Sequence, residues 1–131
     1  ARALGTRGRV RRIESQLLVW QPGPAFARGE GVLDGFDLEH MAVRVLSRNP
    51  LTGQQTLLLR LDPGYRQGGA GSHGVWWQAF VLAGTARLGA TELRRGAFVH
   101  RPAGTVEGPL ASEGGALLYV KLDGFLDFRL A

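Results

Sequence analysis

The segment from Gly96 to Glu107, GAFVHRPAGTVE, combines a sharp turn with an ionisable side chain. Pro102-Ala103-Gly104 joins a fixed φ to a residue that is free to take a positive φ, as a tight turn requires. Glu107 follows this turn, where the chain re-enters a strand. If its side chain faces inward, the carboxylate needs a polar partner, and burial raises its pKa into the range suited to proton transfer. If it faces outward, Glu107 is an ordinary solvated residue.

Two more polar side chains interrupt apolar segments upstream. Arg60 lies within the LLLRL segment, and a guanidinium buried there would need an anion such as Glu107 or a substrate carboxylate or enolate. On an outer face, Arg60 would simply be solvated.

His73 precedes the pair Trp76-Trp77. Adjacent residues of a strand point to opposite faces, so we expect Trp77 to line an interior and Trp76 to pack outward. An inward indole can fill a cavity or stack on a flat ligand. The alternative is that both tryptophans are core residues.

The elements that would position these side chains are short strands. A chain of 131 residues forms one domain, and its 20 glycines and six prolines divide it into short segments. Strands that recur about every 8–12 residues between turn signals indicate an all-β sandwich or barrel. The predicted strands are 12–20, 41–46, 56–61, 75–82, 85–88, 91–93, 98–100 and 116–122. We expect a stop at Gln21-Pro22-Gly23-Pro24, a loop with at most one short strand over 25–39, and a short helix or an edge segment at 125–128.

The net charge of +5 is concentrated at the start of the chain. Five arginines precede the first acidic residue, Glu14, and define a basic arm over residues 1–12. The arm has no aromatic residue that could stack on bases, so we expect no nucleic-acid partner. The chain contains no cysteine and no apolar run of about 20 residues. We expect a soluble, cytoplasmic protein with no membrane partner.

Two groups of residues resemble the signatures of the cupin superfamily. The second signature matches from Gly96 to Glu107, and the first matches in outline at Pro63-Gly64 and at Val81-Leu82-Ala83-Gly84. The resemblance covers roughly residues 40–123 and is nearest to single-domain cupins similar to the anti-sigma-factor ChrR metal-binding domain. It implies an all-β fold over residues 13–131, a single cupin β-barrel of the jelly-roll-like, double-stranded β-helix kind.

The resemblance also places the usual metal ligands. The family carries two histidines, a glutamate and a third histidine, and the matching positions here are Gly71, His73, Trp77 (or Gln78) and Glu107. Only His73 keeps its ligand type, and Glu107 could replace a second ligand. Tight transition-metal sites usually need three or more donors, so we expect no metal and no other cofactor.

The remaining candidate residues belong to strands whose inward face the sequence leaves open. Family strands often carry aromatic residues at the positions of Phe98 and His100, which implies that this face lines the lumen. Val99 and His100 cannot both point inward in a regular strand. Tyr119 raises the same question in the last strand.

These observations favour a metal-free enzyme that performs acid-base chemistry on a small organic molecule, as an isomerase, cyclase, dehydratase or lyase. Glu107 would be the general acid or base and His73 its partner, while Arg60 or a tryptophan nitrogen would stabilise negative charge. The predicted substrate-binding residues are Trp77, Gln78, His100, Phe98 and Tyr119. One alternative is a non-catalytic binding or sensor module, and another is a metal-dependent dioxygenase with an atypical site. We also expect a homodimer.

Overall fold

The computed structural model describes residues 19–131, and short strands dominate this part of the chain. The basic arm and the predicted strand segment 12–18 lie outside the described residues. The elements in chain order are β1 Trp20–Pro22, α1 Gly23–Ala27, a 3₁₀ turn at Leu38–His40, β2 Met41–Arg48, β3 Gln55–Leu61, β4 Tyr65–Arg66, β5 Gly71–His73, β6 Trp77–Leu88, β7 Thr91–Arg94, β8 Phe98–Arg101, β9 Leu110–Ser112, β10 Ala116–Leu122 and β11 Phe128–Leu130. The predicted all-β fold is confirmed.

Nine of these strands form one curved sheet in the order β1-β2-β3-β10-β6-β9-β4, with β7 and β8 also paired to β6. Strands β11 and β5 form a separate antiparallel pair. The first half of β6 pairs with β10 and β8, and its second half pairs with β7 and β9. Strand β6 therefore belongs to both halves of the curved sheet.

The prediction of two strands joined at Ala83-Gly84 is wrong, because β6 continues through both residues. Gly84 has a φ of 74°, and a Cβ at this position would collide with the backbone of Gly115. Strand β6 carries one extra residue beside this bend, because Leu117 and Leu118 of β10 pair with Ala83 and Val81 and leave Leu82 without a partner. The glycine signal marks a bend in one long strand.

Two other local predictions need correction. Gln21 and Pro22, expected to end a strand, belong to β1. Among the described strands β1 pairs only with β2, and an edge strand tolerates a residue that lacks an N–H group. The segment predicted as a loop over 25–39 contains most of α1 and the 3₁₀ turn. The C-terminal tail, predicted as a short helix or an edge segment at 125–128, forms an edge segment. Its strand, β11, begins only at Phe128.

Alternation along the central strands separates an apolar interior from an outer face. Val43, Leu57, Val81 and Leu118 point inward from β2, β3, β6 and β10, and each is almost fully buried. Their neighbours in each strand point outward. The interior of the curved sheet is therefore closely lined by aliphatic side chains.

A buried carboxylate connects the segment after α1 to the rest of the protein. The Glu30 side chain has 0% exposure, and its Oε2 accepts a 2.6 Å hydrogen bond from Nη2 of Arg48. Its Oε1 accepts hydrogen bonds from Nε2 of Gln55 and from the backbone N–H of Leu126, both at 3.0 Å. Three distant parts of the chain are thus fixed by one side chain.

The segment beyond Glu30 then runs beside the C-terminal tail. The N–H of Phe128 donates to the carbonyl of Val32 at 2.7 Å, and the N–H of Asp34 donates to the carbonyl of Phe128 at 3.1 Å. The rings of Phe36 and Phe128 lie 5.4 Å apart. Together this segment and the tail close one end of the interior.

Within residues 19–131, no helix is both long enough and apolar enough to cross a membrane.

We expect Glu30→Ala to lower the free energy of unfolding by about 3 kcal/mol, because it leaves the partners of a buried, charge-assisted network unsatisfied. Urea denaturation at neutral pH measures this change. Glu92→Ala is the matched control, since Glu92 pairs with a largely exposed Arg94 and should cost about 0.5 kcal/mol or less. Equal losses in the two variants would contradict the role given to Glu30.

Candidate functional site

The curved sheet encloses a cavity of about 70 Å³. Its wall is mostly aliphatic and aromatic, with contributions from β2, β3, β6 and β10. The side chains with polar atoms at this wall are Tyr65, Gln67, His73, Trp77 and Glu107. The structure therefore brings three of the predicted site residues, His73, Trp77 and Glu107, to one cavity.

Backbone pairing holds Glu107 beside β5. The N–H of Glu107 donates to the carbonyl of Gly71 and the N–H of Gly71 donates to the carbonyl of Glu107, each at 3.0 Å. The N–H of Gly104 also donates to the carbonyl of His73 at 2.9 Å. The turn after β8 is thereby fastened to the strand that carries His73, although more than 30 residues separate the two segments in sequence.

Arg101 is the charged partner of Glu107. Its Nε donates to Oε1 of Glu107 at 3.0 Å, and only 9% of the Glu107 side chain is exposed. Burial raises the pKa of Glu107 above its ordinary value, while the Arg101 guanidinium and the Trp77 indole N–H oppose that shift. Arg101 lies opposite Trp77 in the pairing of β6 with β8, which explains why both side chains reach the carboxylate.

Sequence reasoning missed Arg101, although a signal for it was present. Val99 points inward and is 5% exposed, so the residue two positions later shares its face. That residue also immediately precedes the Pro102 turn, which returns the chain towards Glu107.

His73 is half-buried at the end of the cavity where β5 pairs with β11. Its ring centroid lies 4.8 Å from that of Phe128 and 5.4 Å from that of Trp77. Burial lowers the pKa of His73 to about 4, and the nearby Asp127 carboxylate opposes this only in part. Nδ1 of His73 is buried and finds no hydrogen-bond partner within the described part of the chain. At neutral pH the site thus contains an uncharged imidazole with a free ring nitrogen.

Arg60 lies on the outer face, so the expectation that it meets Glu107 or a ligand in the lumen is wrong. Its Nε donates to Oδ1 of Asp62 at 3.2 Å, and its guanidinium stands 5.3 Å from the ring centroid of Trp20. The physical reason is strand alternation, because Leu59 and Leu61 on either side of it occupy the inward face.

The other four predicted substrate-binding residues also point away from the cavity: Gln78, Phe98, His100 and Tyr119. Phe98 and His100 alternate with the inward Val99, and Gln78 is the cross-strand partner of His100. Trp76 points outward as expected, and its ring centroid lies 6.0 Å from that of His100. The prediction that Phe98, His100 and Tyr119 face the lumen is therefore wrong.

The residues at the cavity do not fit the metal ion that the family resemblance implies. No group of three or more His, Cys, Asp or Glu side chains within residues 19–131 is arranged to hold a metal. A Cβ at Gly71, which matches the first histidine of the family, would collide with the backbone of Arg129 and the ring of Phe128. Trp77 occupies the matching glutamate position and lines the cavity. The donor set is reduced to His73 and Glu107, fewer than such ions usually require.

No protein-family model matches the sequence, and no curated protein matches it. Several solved structures do match it. A dioxygenase candidate from Nostoc punctiforme has a TM-score of 0.72 at 19% identity over 87% of this chain and 39% of its own. An RmlC-like cupin protein from Ralstonia eutropha has a TM-score of 0.63 at 18% identity over 84% of this chain and 66% of its own. This chain has a cupin fold.

A third similar structure is the complex of Rhodobacter sphaeroides SigE with the anti-sigma ChrR. It has a TM-score of 0.53 at 17% identity, over 63% of this chain and 45% of the matched chain. The predicted resemblance to cupins, including the ChrR group, is therefore confirmed at the level of the fold. This chain spans less than two thirds of the length of each of these three neighbours.

We expect acid to destabilise the protein through His73. Between pH 6.5 and about 4 the unfolded chain binds a proton at this histidine and the folded protein does not, so stability falls as the pH is lowered through this range. The loss attributable to His73 is about 3 kcal/mol once the pH is below both pKa values. Urea denaturation across this range measures it.

In His73→Leu this acid-dependent loss should be absent, whereas His40→Gln should retain it. His40 is exposed and pairs with Asp37, which raises its pKa instead. An unchanged pH dependence in His73→Leu would refute the assignment of a desolvated, neutral imidazole to His73.

Proposed function

We propose that the protein is a metal-independent enzyme that moves a proton on a small, uncharged organic molecule bound in the cupin lumen. The observation that supports this most directly is that a carboxylate with a raised pKa and a neutral imidazole face the same apolar cavity. The reaction class is that of an isomerase, cyclase, dehydratase or lyase.

Glu107 is the group that accepts and returns the proton. Burial makes its carboxylate a stronger base than an exposed glutamate, and the hydrogen bond from Arg101 orients it. Because only a small part of the side chain is exposed, Glu107 is placed between the cavity and solvent and can exchange its proton after turnover.

His73 and Trp77 would act on the oxygen of the substrate. A neutral imidazole carries one N–H donor and one acceptor, so His73 can donate to a carbonyl or enolate oxygen or receive a hydroxyl proton. The indole N–H of Trp77 is a second donor, and its ring forms a flat wall beside the reacting atoms. Donors directed at a developing oxyanion in an apolar site are an effective way to lower a barrier.

The charges at the cavity favour an uncharged substrate. Arg60 lies outside, and Arg101 is engaged by Glu107, so a substrate carboxylate in the lumen would meet no available cation among the described lining residues. Burying an unpaired anion beside Glu107 would be costly. The cavity is about half of the ~150 Å³ that accommodates benzene, and therefore suits molecules of about three to four non-hydrogen atoms.

A non-catalytic binding or sensor module would use the same cavity and the same polar groups. The two functions differ in what Glu107 does, because a binding module needs it only as a hydrogen-bond acceptor. A dioxygenase-type reaction would require metal donors beyond His73 and Glu107, and Gly71 cannot supply one.

We expect Glu107→Gln to abolish turnover, or to lower it by about 10²-fold or more, while the fold is retained. Leu51→Gln is a control, since Leu51 is 93% exposed in the turn between β2 and β3. Circular dichroism checks the fold, and turnover is followed with the substrate that a screen of small carbonyl compounds identifies. Full turnover in Glu107→Gln would refute the catalytic assignment, and binding without turnover in the native protein would favour the sensor function.

Acetamide and acetate test the charge of the ligand at constant size. We expect millimolar acetamide to shift the NMR signal of the Trp77 indole N–H saturably, and acetate to leave it unchanged. In Glu107→Ala the released Arg101 provides a cation, so acetate should then bind. Binding of acetate to the native protein at equal or higher affinity would contradict an uncharged substrate.

A further inference from the structure

One carboxamide in the wall of the cavity has no role in the proton transfer described above. Gln67 lines the cavity and is only 6% exposed. It stands immediately after β4, where Tyr65 points inward and Arg66 points outward, so Gln67 shares the inward face of Tyr65. A buried amide needs hydrogen-bond partners at both its oxygen and its nitrogen. Those partners therefore determine what Gln67 can offer to a ligand.

The oxygen of this amide is already engaged. The ladder between β4 and β9 ends at the pair of Arg66 and Ala111. In the next pair the N–H of Gln67 donates to the carbonyl of Leu110 at 2.9 Å, whereas the N–H of Leu110 donates to the side-chain Oε1 of Gln67 at 2.8 Å. Because a main-chain N–H can only donate, this bond fixes which end of the amide is the oxygen.

The nitrogen of the amide faces the cavity. Nε2 of Gln67 makes no hydrogen bond within residues 19–131. It is also not one of the unpartnered polar atoms that are completely enclosed there, which are Nε of Arg44, Nδ1 of His73 and Oδ1 of Asp127. Since almost none of Gln67 is exposed and its side chain lines the lumen, its two N–H groups are directed into the lumen.

The backbone around Gln67 holds these donors in a fixed position. Two hydrogen bonds join Gln67 to Leu110, and the next residue, Gly68, donates its N–H to the carbonyl of Gly35 at 2.7 Å. The two chains approach so closely that a Cβ at Gly68 would lie 3.4 Å from Cα of Gly35. Donors that are fixed in advance bind a ligand oxygen with little loss of side-chain entropy.

Gln67 and Glu107 lie along the same pair of chain segments. Leu110, the partner of Gln67, is three residues from Glu107, which pairs with Gly71. Three residues of chain span at most about 11 Å. Both side chains point into the lumen across this span, and a molecule of about three to four non-hydrogen atoms can lie between them.

We propose that Gln67 binds a second oxygen of the substrate, an assignment that rests on the function proposed above. In that function His73 and Trp77 act on the first oxygen, beside the carbon that exchanges a proton with Glu107. In a molecule of about four non-hydrogen atoms, oxygens at both ends are carried by adjacent carbons. The substrate class is accordingly a small, uncharged hydroxycarbonyl compound.

The donors of Gln67 also explain how such a compound is selected. Its second oxygen accepts a hydrogen bond from Nε2 of Gln67. A methyl group in place of that oxygen leaves buried N–H donors unpaired, and a site built to pair a substrate oxygen therefore rejects the analogue that lacks it.

Ethylene glycol and 1-propanol test the second oxygen at constant size, since a hydroxyl group of the first replaces the methyl group of the second. Titrations followed by NMR at the Trp77 indole N–H give both dissociation constants, and in the native protein ethylene glycol should also shift the side-chain N–H signals of Gln67. Gln67→Met keeps the length of the side chain and removes both donors. We expect it to weaken binding of ethylene glycol about tenfold or more and to change that of 1-propanol less than about threefold.

Ser112→Ala is the matched control. Gln67→Met also removes the acceptor of the Leu110 N–H, and Ser112→Ala likewise removes a buried hydrogen bond from β9, that from Oγ of Ser112 to the carbonyl of Thr85 at 2.7 Å. Ser112 does not line the cavity, so both affinities should be unchanged. Gln67→Glu is a second variant in case Gln67→Met does not fold. Its carboxylate keeps an acceptor for Leu110 but has no N–H, so it should also weaken binding of ethylene glycol.

Equal effects of Gln67→Met on the two alcohols would overturn the proposal, and so would ethylene glycol that leaves the Gln67 signals of the native protein unshifted. Kinetics separate this failure from failure of the proton transfer. With a hydroxycarbonyl substrate, Gln67→Met should raise KM with little change in kcat, whereas Glu107→Gln should lower kcat. Full turnover in Glu107→Gln, together with selective loss of ethylene glycol in Gln67→Met, would refute the proton transfer and support the binding role of Gln67.

Discussion

The burial of the Glu30 carboxylate is the constraint on which the shape of the lumen depends. A fully buried carboxylate is stable only when its oxygens are satisfied, and here Arg48, Gln55 and the backbone of Leu126 satisfy them. Those partners belong to the main sheet and to the tail, so the chain after α1 must lie between the two. Phe36 and Phe128 consequently meet over one end of the cavity, and His73 is enclosed beneath them. The rings that desolvate this imidazole are thus carried by the segment and the tail that flank the polar network around Glu30.

The absence of a metal-ligand set among residues 19–131 and the apolar character of the site both follow from the packing around the cavity. Where a ligand side chain could project from Gly71, the tail strand packs directly against the backbone. Where the family places a carboxylate, Trp77 presents an indole to the cavity. The carboxylate of Glu107 takes its positive partner from a side chain, Arg101.

Much of the fold could be predicted from the sequence, because turn residues and alternation act locally. The strand β10 has the predicted bounds, and the glycine and proline turns lie where expected apart from those at Gln21-Pro22 and Ala83-Gly84. The site could be predicted only in part. His73, Trp77 and Glu107 follow from motif spacing, whereas Arg60, Gln78, Phe98, His100 and Tyr119 depended on which face of a strand looks inward. The cross-strand partners of a strand decide which of its faces looks inward. In β8 the buried residue is Val99, so Phe98 and His100 point outward. The network around Glu30 joins residues up to 96 positions apart and has no local signal.

The alternation in β6 has a consequence for how this chain can change during evolution. Trp77, Ala79 and Val81 point inward, while Gln78, Phe80 and Leu82 point outward, so insertion or deletion of one residue would exchange the two sets. The lumen would then receive a glutamine and a phenylalanine, and the outer surface would receive the indole. A change of length is therefore accommodated more easily in the exposed residues from Asn49 to Thr52, where no face is exchanged, than in β6 between Trp77 and Val81. Divergence at this site must proceed by substitution.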